Sequence, residues 1–311
     1  MRTAEIPPAS PPPTLCRRVV AIVNPAARRD VAVLTDALRR NRPADVALDV
    51  RMTPGPGTIT RATREALAEG DVAAVVAIGG DGTVAQVAAA LADSGVPLGI
   101  MAAGSTNVIA REQRIPTNPD AAAALIYGPH ALKPLDLGLC DHHAFVHIGG
   151  AGLAGRLFLD TDPALKRRLG WLAYLPAAAK NIFAHPSRCT IVTDDSRTEV
   201  SSPLVLVANG GSLVMPALRL YPGIEPDDGW LDILVFTAST PFEVIRSLFR
   251  LFLRDLAHSP YVLRLRARRV ELSAEPPLPV QVDGDVIGET PALFHLAPHA
   301  VRLIVPAGSS Q

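Results

Sequence analysis

An α/β domain with a parallel sheet, followed by an antiparallel β-sandwich, is the fold class this sequence predicts, and three observations predict it. Between Arg17 and about Pro134, short β-branched runs alternate with longer helical stretches, the pattern of a parallel sheet wrapped by helices. Beyond Asp136, short apolar runs follow one another between Gly, Pro and Asp with few helical interruptions, the pattern of an antiparallel sandwich. At 311 residues the chain also exceeds the ~250 that one core usually sustains, so two lobes with a cleft between them are expected.

In the first half the expected strands are Val19 to Val23, Val46 to Met52, Ala73 to Ile78 and Leu98 to Met101. Helical stretches lie between and after them, over Val31 to Arg40, Ile59 to Glu69, Val84 to Ser94 and Asn107 to Gln113. In the second half the apolar runs are Ala144 to Ile148, Cys189 to Thr193, Leu204 to Ala208, Leu231 to Phe236, Val262 to Leu265, Val270 to Leu272 and Val301 to Val305. Two helices interrupt them, about Pro163 to Phe183 and Pro241 to Leu256. The opening stretch holds Pro7, Pro8, Pro11, Pro12 and Pro13 and lacks the basic and apolar regions of a signal peptide, so it is expected to be a disordered tail. The division that follows is a tail over 1–16, an α/β domain over 17–134 and a sandwich domain over 135–311.

Bulk composition removes several function classes. Thirty Lys and Arg balance thirty Asp and Glu with no block of like charge, so nucleic acid is not an expected partner. Cys16, Cys140 and Cys189 are scattered and odd in number, which excludes a disulfide framework and a zinc site and fits a reducing cytoplasm. No run approaches the ~18–20 apolar residues that a spanning helix needs.

The strongest local signal is Gly79-Gly80-Asp81-Gly82-Thr83, placed after an apolar strand and before a helix. Glycines there let backbone N–H groups approach a phosphate, and a helix N-terminus adds positive potential. The bland alternative is a tight turn without a ligand, which a single glycine would favour over this cluster. Gly104-Ser105-Thr106-Asn107 repeats the arrangement after the next strand, though Ser, Thr and Asn are also ordinary helix caps. Asn24-Pro25 ends the first strand and Thr53, with Gly55 and Gly57, ends the second. In a parallel sheet such strand ends converge on one crevice, so the first half reads as a nucleotide-binding domain. None of the lysines Lys133, Lys166 and Lys180 follows glycine, so there is no Walker A loop.

Taken together, these residues resemble the diacylglycerol kinase catalytic domain family, which includes bacterial lipid kinases and sphingosine kinase-like enzymes. The resemblance runs through Asn24-Pro25, residues 79–83, Gly104 to Asn107 with Ala110-Arg111, and Lys166, Gly170 and Tyr174. It continues through Asn209-Gly210, Asp228-Gly229, Leu231-Asp232 and Asp283-Gly284-Asp285. It implies an ATP cleft between the two domains, with ATP contacted at Thr53, at Gly79 through Thr83 and at Ser105, and Asn24, Gly104, Thr106 and Asn107 lining the same site. It implies that Asp81 helps place Mg2+, that Asp283 is the general base, and that Asp285, where the family usually has Glu, joins a water and magnesium network. In isolation Asp283-Gly284 would read as a hairpin turn. The resemblance further implies a structural magnesium loop at Glu225, Asp228 and the carbonyl of Trp230, against which stands an ordinary acidic surface turn. Two departures stand out: Ala26-Ala27-Arg28-Arg29 follows Asn-Pro, and His147 stands where Asn is frequent, a position that otherwise suits a packed core residue.

The implied substrate is a membrane lipid, diacylglycerol or a sphingoid-like base, met by peripheral contact with an anionic membrane at the inner face of the cytoplasm; a homodimer is compatible with this. Two segments could make that contact. One carries Arg246, Arg250 and Arg254 beside Phe242, Ile245, Phe249, Phe252, Leu253 and Leu256, and the other carries Lys166, Arg167 and Arg168 before Trp171 and Tyr174. For both, core-facing apolar residues with a solvated arginine edge is the competing reading. The rival functions are a NAD kinase-like small-molecule kinase, which shares the Gly-Gly-Asp-Gly turn, and a non-catalytic nucleotide- or lipid-binding regulator. A dinucleotide oxidoreductase lacks its Gly-x-Gly-x-x-Gly fingerprint here.

Overall fold

In the computed structural model, residues 17–55, 57–161, 186–212, 219–238 and 240–308 are described, together with Pro176 and Lys180. The Pro-rich opening, nearly all of the expected helix from Pro163 to Phe183, and Lys166, Gly170 and Tyr174 lie outside the described residues.

The first half alternates β1 (Arg17–Val23), α1 (Val31–Asn41), β2 (Val46–Met52), α2 (Thr58–Ala68), β3 (Val72–Gly79), α3 (Asp81–Leu91), β4 (Leu98–Ala102), α4 (Val108–Glu112) and α5 (Pro119–Tyr127). The strands pair in parallel in the order β2-β1-β3-β4. Val20, Ala21, Ile22 and Val23 are all fully buried, because helices cover both faces of a parallel sheet. Ile59, Ala66, Val84 and Val87 close one face, and Leu34, Leu38, Ala122 and Ile126 close the other. Sequence periodicity misses α5, whose Ala-rich run lacks a polar face; Asn118 caps it and Pro119 opens it.

The second half contains β5 (Ala131–Cys140), β6 (His143–Phe145), β7 (Ile148–Gly152), α6 (Leu153–Asp160), β8 (Ser187–Thr193), β9 (Arg197–Ser202), β10 (Leu204–Ala208), β11 (Leu231–Phe236) and α7 (Pro241–Phe252). It ends with β12 (Val262–Ala267), β13 (Arg269–Glu275), β14 (Pro279–Val282), β15 (Asp285–Glu289) and β16 (Ala292–Val305). The order β12-β11-β10-β7-β14-β15 forms one antiparallel sheet. It faces a second layer of β16, β13, β8 and β9 across a core that includes Phe145, Ile191, Val205, Ile233, Val270, Val280 and Phe294. This is the expected sandwich.

Several expected boundaries change. The run Ala144 to Ile148 is two strands: β6 pairs with β5 in the first sheet, and β7 pairs with β10 and β14 in the second. Val146 and His147 are where the chain crosses between sheets. The helix expected from Val84 begins at Asp81, so the Asp belongs to its first turn. Pro134 and Gly138 hide β5 from sequence reading; Gly138 is required because a Cβ there would come within 2.2 Å of the Phe145 ring. Only the last five residues of the fourteen-residue β16 were expected to be strand. Its start pairs with β13, both ends pair with β5, and Leu303 joins Leu98 of β4 in parallel. A register shift between Ala297 and Val301, beside His299 at φ +51°, turns the strand between its two roles. A single sheet therefore runs from the α/β half into the sandwich.

Candidate active site

The two glycine turns sit at the carboxyl ends of neighbouring strands and touch backbone to backbone. A Cβ on Gly104 would lie 2.6 Å from the Gly80 Cα, and one on Gly79 would lie 2.3 Å from the Thr83 hydroxyl. Side chains at these positions would push the turns apart. At Gly82, by contrast, a Cβ would meet nothing within 4 Å, which leaves open space over the first turn of α3. Gly80, the N-cap of α3, offers no side chain to that turn, so its N–H dipole is left for a ligand.

Side chains lock the neighbouring loops. Asp81 accepts from the Thr106 hydroxyl at 2.8 Å and from the Ile109 backbone N–H at 3.3 Å, joining the two turns. Asn107, at φ +47°, accepts the Gly104 N–H at 2.8 Å and donates to the Gly104 carbonyl at 2.9 Å. Its whole amide thus shapes the loop, and Ser105 stands exposed at the rim. Asn24 donates to the Thr83 hydroxyl at 3.2 Å. Thr53 is buried, and its hydroxyl donates to the Val23 carbonyl at 2.8 Å, which makes it a brace between β1 and β2. Arg29 donates to the carbonyls of Thr117 at 2.7 Å and Ala102 at 3.3 Å, so this departure ties two loops together.

Asp283 and Gly284 form a two-residue hairpin turn between β14 and β15, with φ of +45° and +96°. The hairpin and the site are the same feature. The Asp283 carboxylate accepts backbone N–H groups from Val146 at 2.8 Å, His147 at 3.1 Å and Ile148 at 2.9 Å. These donors are available because the chain is changing sheets there. Burial pushes the Asp283 carboxyl above the ordinary carboxylate range; the His147 ring and the N–H groups of Ile148 and Val146 oppose this, and the negative charge of Asp81 adds to it. Asp81 and Asp283, one from each half, therefore lie in one another's field. Asp285 begins β15 and is exposed.

The Diacylglycerol kinase catalytic domain model matches residues 18–140, and the YegS C-terminal NAD kinase beta sandwich-like domain model matches residues 152–305. The "Probable lipid kinase YegS-like" protein of Pseudomonas aeruginosa (strain UCBPP-PA14) is 31% identical over 281 residues, covering 88% of this chain and 89% of that one. The chain belongs to the diacylglycerol kinase catalytic domain family. The Diacylglycerol kinase of Bacillus subtilis (strain 168) is 27% identical over 296 residues, covering 93% of this chain and 97% of that one. The crystal structure of a diacylglycerol kinase from Bacillus anthracis str. Sterne matches with a TM-score of 0.75 at 25% identity, over 94% of this chain and 98% of that one.

Two further features of this diacylglycerol kinase-family chain bear on the site. His147 was not assigned a role from sequence, yet its Nε2 bonds the Ser212 carbonyl and its Nδ1 lies 3.7 Å from the Glu112 carboxylate at the end of α4. It spans from the sandwich to the helix that follows the second glycine turn. A Cβ on Gly210 would strike its ring, so that glycine makes room for it. The acidic loop is organised by arginines. Asp228 accepts from the Trp230 N–H at 3.0 Å and pairs with Arg266, while Glu225 pairs with Arg219 at 3.8 Å. Among the described residues no three His, Cys, Asp or Glu side chains converge on a metal position. An arginine stands beside each of these carboxylates, closely at Asp228 and loosely at the half-exposed Glu225.

Proposed function

We propose that this chain is an ATP-dependent lipid kinase that transfers the γ-phosphate of ATP to a hydroxyl of a membrane lipid, diacylglycerol being the first candidate. What supports this reading is that Asp81, tied into the paired glycine turns of one half, and Asp283, on the β14–β15 hairpin of the other, lie within one another's electrostatic reach. Open space at Gly82 and the uncapped start of α3 suit a polyphosphate.

Asp283 takes the proton of the lipid hydroxyl as that oxygen bonds the γ-phosphorus and the bond to the β-phosphate oxygen breaks, releasing ADP. Three backbone donors aim its carboxylate, and its raised pKa makes it a stronger base than an exposed aspartate. Asp81 keeps acceptor capacity beyond its bonds to Thr106 and Ile109, so it fits a role beside Mg2+, which when bound with ATP neutralises phosphate charge. Asp285, exposed at the start of β15, can reach solvent bridging to the same region.

Purified protein incubated with labelled ATP, Mg2+ and a panel of diacylglycerols, sphingoid bases and related lipids should yield a phosphorylated lipid. Absence of transfer to every lipid in the panel overturns the reading.

A further inference from the structure

Helix α7 presents a second apolar face that stands exposed among the described residues. Val244, Ser247 and Leu251 turn inward, whereas Phe242 is 70% exposed, Ile245 56%, Phe249 63% and Leu253 60%. At 100° per residue these four fall within an arc of about 80°, opposite the inward face. Arg246 and Arg250 follow within the next ~60° along one flank, and Arg254 comes just past the helix end at φ +58°, so a basic edge lies beside the apolar ridge. The helix is firmly built: Thr240 and Glu243 form a capping box, and Arg250 bonds Asp255 at 2.9 Å and the His258 carbonyl at 2.7 Å. So large an exposed patch on an ordered helix marks a contact surface.

Its place in the fold narrows the partner. Gly152, Leu204 and Phe236 are aligned across β7, β10 and β11, so α6 and α7 leave the sandwich at the same end. Ile148, Ala208 and Asp232 mark the other end, where the Asp283 N–H bonds the Ile148 carbonyl at 2.8 Å. The two ends are four residue steps apart, roughly 13 Å. Leu159 of α6, 63% exposed, adds apolar surface at the α7 end.

We propose that α7 is the membrane-docking element, lying in the interface of an anionic bilayer with Phe242, Ile245, Phe249 and Leu253 in the acyl region and the arginine ridge at the headgroups. This deepens the lipid kinase reading and rests on it. Arg246, Arg250 and Arg254 stand against Glu243, held in the cap, and Asp255, which pairs with Arg250, so the segment carries one net positive charge. An anionic surface complements both ridges at once. An antiparallel pairing of two copies would instead set one arginine ridge against the other. A lipid docked from this end would extend its hydroxyl toward Asp283 along the sheet that holds β7.

The test uses the full chain and its Ile245→Gln/Phe249→Gln/Leu253→Gln variant, with thermal unfolding confirming that these exposed changes leave the fold intact. Flotation with vesicles of 30% phosphatidylglycerol in phosphatidylcholine should show at least tenfold weaker binding for the variant. Arg246→Glu should weaken binding less, and added salt should reduce the wild-type affinity. Turnover of a dispersed short-chain diacylglycerol should be unchanged in the triple variant while turnover on vesicles falls. Equal vesicle binding by variant and wild type overturns the proposal, as does a wild-type dimer that the variant converts to monomer without loss of vesicle binding. If the wild type floats through this helix yet phosphorylates no lipid, docking stands and the kinase reading fails.

Discussion

The molecule holds two groups of aspartates treated in opposite ways. Asp81 and Asp283 are held by hydroxyl and backbone N–H donors, and no arginine or lysine bonds either carboxylate among the described residues. Asp228 and Asp232, either side of Trp230 at the start of β11, are instead paired with arginines. Asp232 is buried and pairs with Arg264 at 2.5 Å and Arg266 at 3.5 Å. Asp136 beside them is buried and, like Asp283, is held by backbone N–H groups, those of Gly229 and His299, each at 2.7 Å. Arg266 and Arg268 stack over Trp230, and Arg264 stacks over Tyr221. Backbone donors fix a carboxylate's direction and favour its charged form, so the raised pKa of Asp283 comes from burial and from the charge of Asp81. Guanidinium partners neutralise a carboxylate and leave it a purely structural role.

The largest effect that would break this contrast is at Asp283. Asp283→Asn should lower kcat about 10²–10⁴-fold with ATP binding retained, measured by turnover beside nucleotide titration. A variant with near-normal turnover removes Asp283 from the chemistry. On the structural side, Asp232→Ala removes the buried partner of two arginines and should cost about 2–3 kcal/mol in denaturant unfolding, reduced from the fully buried case because Arg264 and Arg266 are part-exposed. A loss well below this would mean that the arginines find other acceptors.

A smaller effect is expected at the glycine contact. Gly104→Ala forces a Cβ to 2.6 Å from the Gly80 Cα and 2.9 Å from the Asn107 amide oxygen, and should raise the KM for ATP about tenfold or more. The pH profile sharpens the comparison further. Asp283 must be ionised to accept a proton and its pKa is raised, so kcat/KM should climb with pH on an acid limb above the ~4 of an ordinary carboxylate. The His147 field lowers that pKa, so His147→Asn should move the limb to still higher pH. The Glu112 and Asp81 carboxylates are the other charged groups facing this pair. The smallest effect is Glu225→Gln, whose half-exposed pairing with Arg219 at 3.8 Å should keep stability within about 0.5 kcal/mol.

The strands of the parallel sheet and the helices α1 to α3 were readable from the chain, because β1, β3 and β4 carry apolar runs that lead into turn residues, a local pattern, whereas α5 was not. Gly79, Gly80 and Gly104 were readable as strand-end turns for the same reason. Less readable were β5, with its Pro134 and Gly138, and the polar alternating β9, since both are made strands by neighbours far away in the chain. Asp283-Gly284 reads equally as a turn and as a catalytic pair, and it is a turn; what the carboxylate does depends on Val146, His147 and Ile148, more than 130 residues earlier. His147 and the outward face of α7 carry no local signal that separates function from packing, because burial at one position is set by the whole fold.

From composition, periodicity and the glycine motifs came the two-part architecture and the glycine turns, both of which depend on near neighbours in the chain. Tertiary structure alone decided which aspartates stay free of arginine, that β16 joins the two halves into one sheet, and that α7 turns its second apolar face outward. Those outcomes rest on strand pairing and burial between distant segments, where the field and the exposure at each side chain are determined.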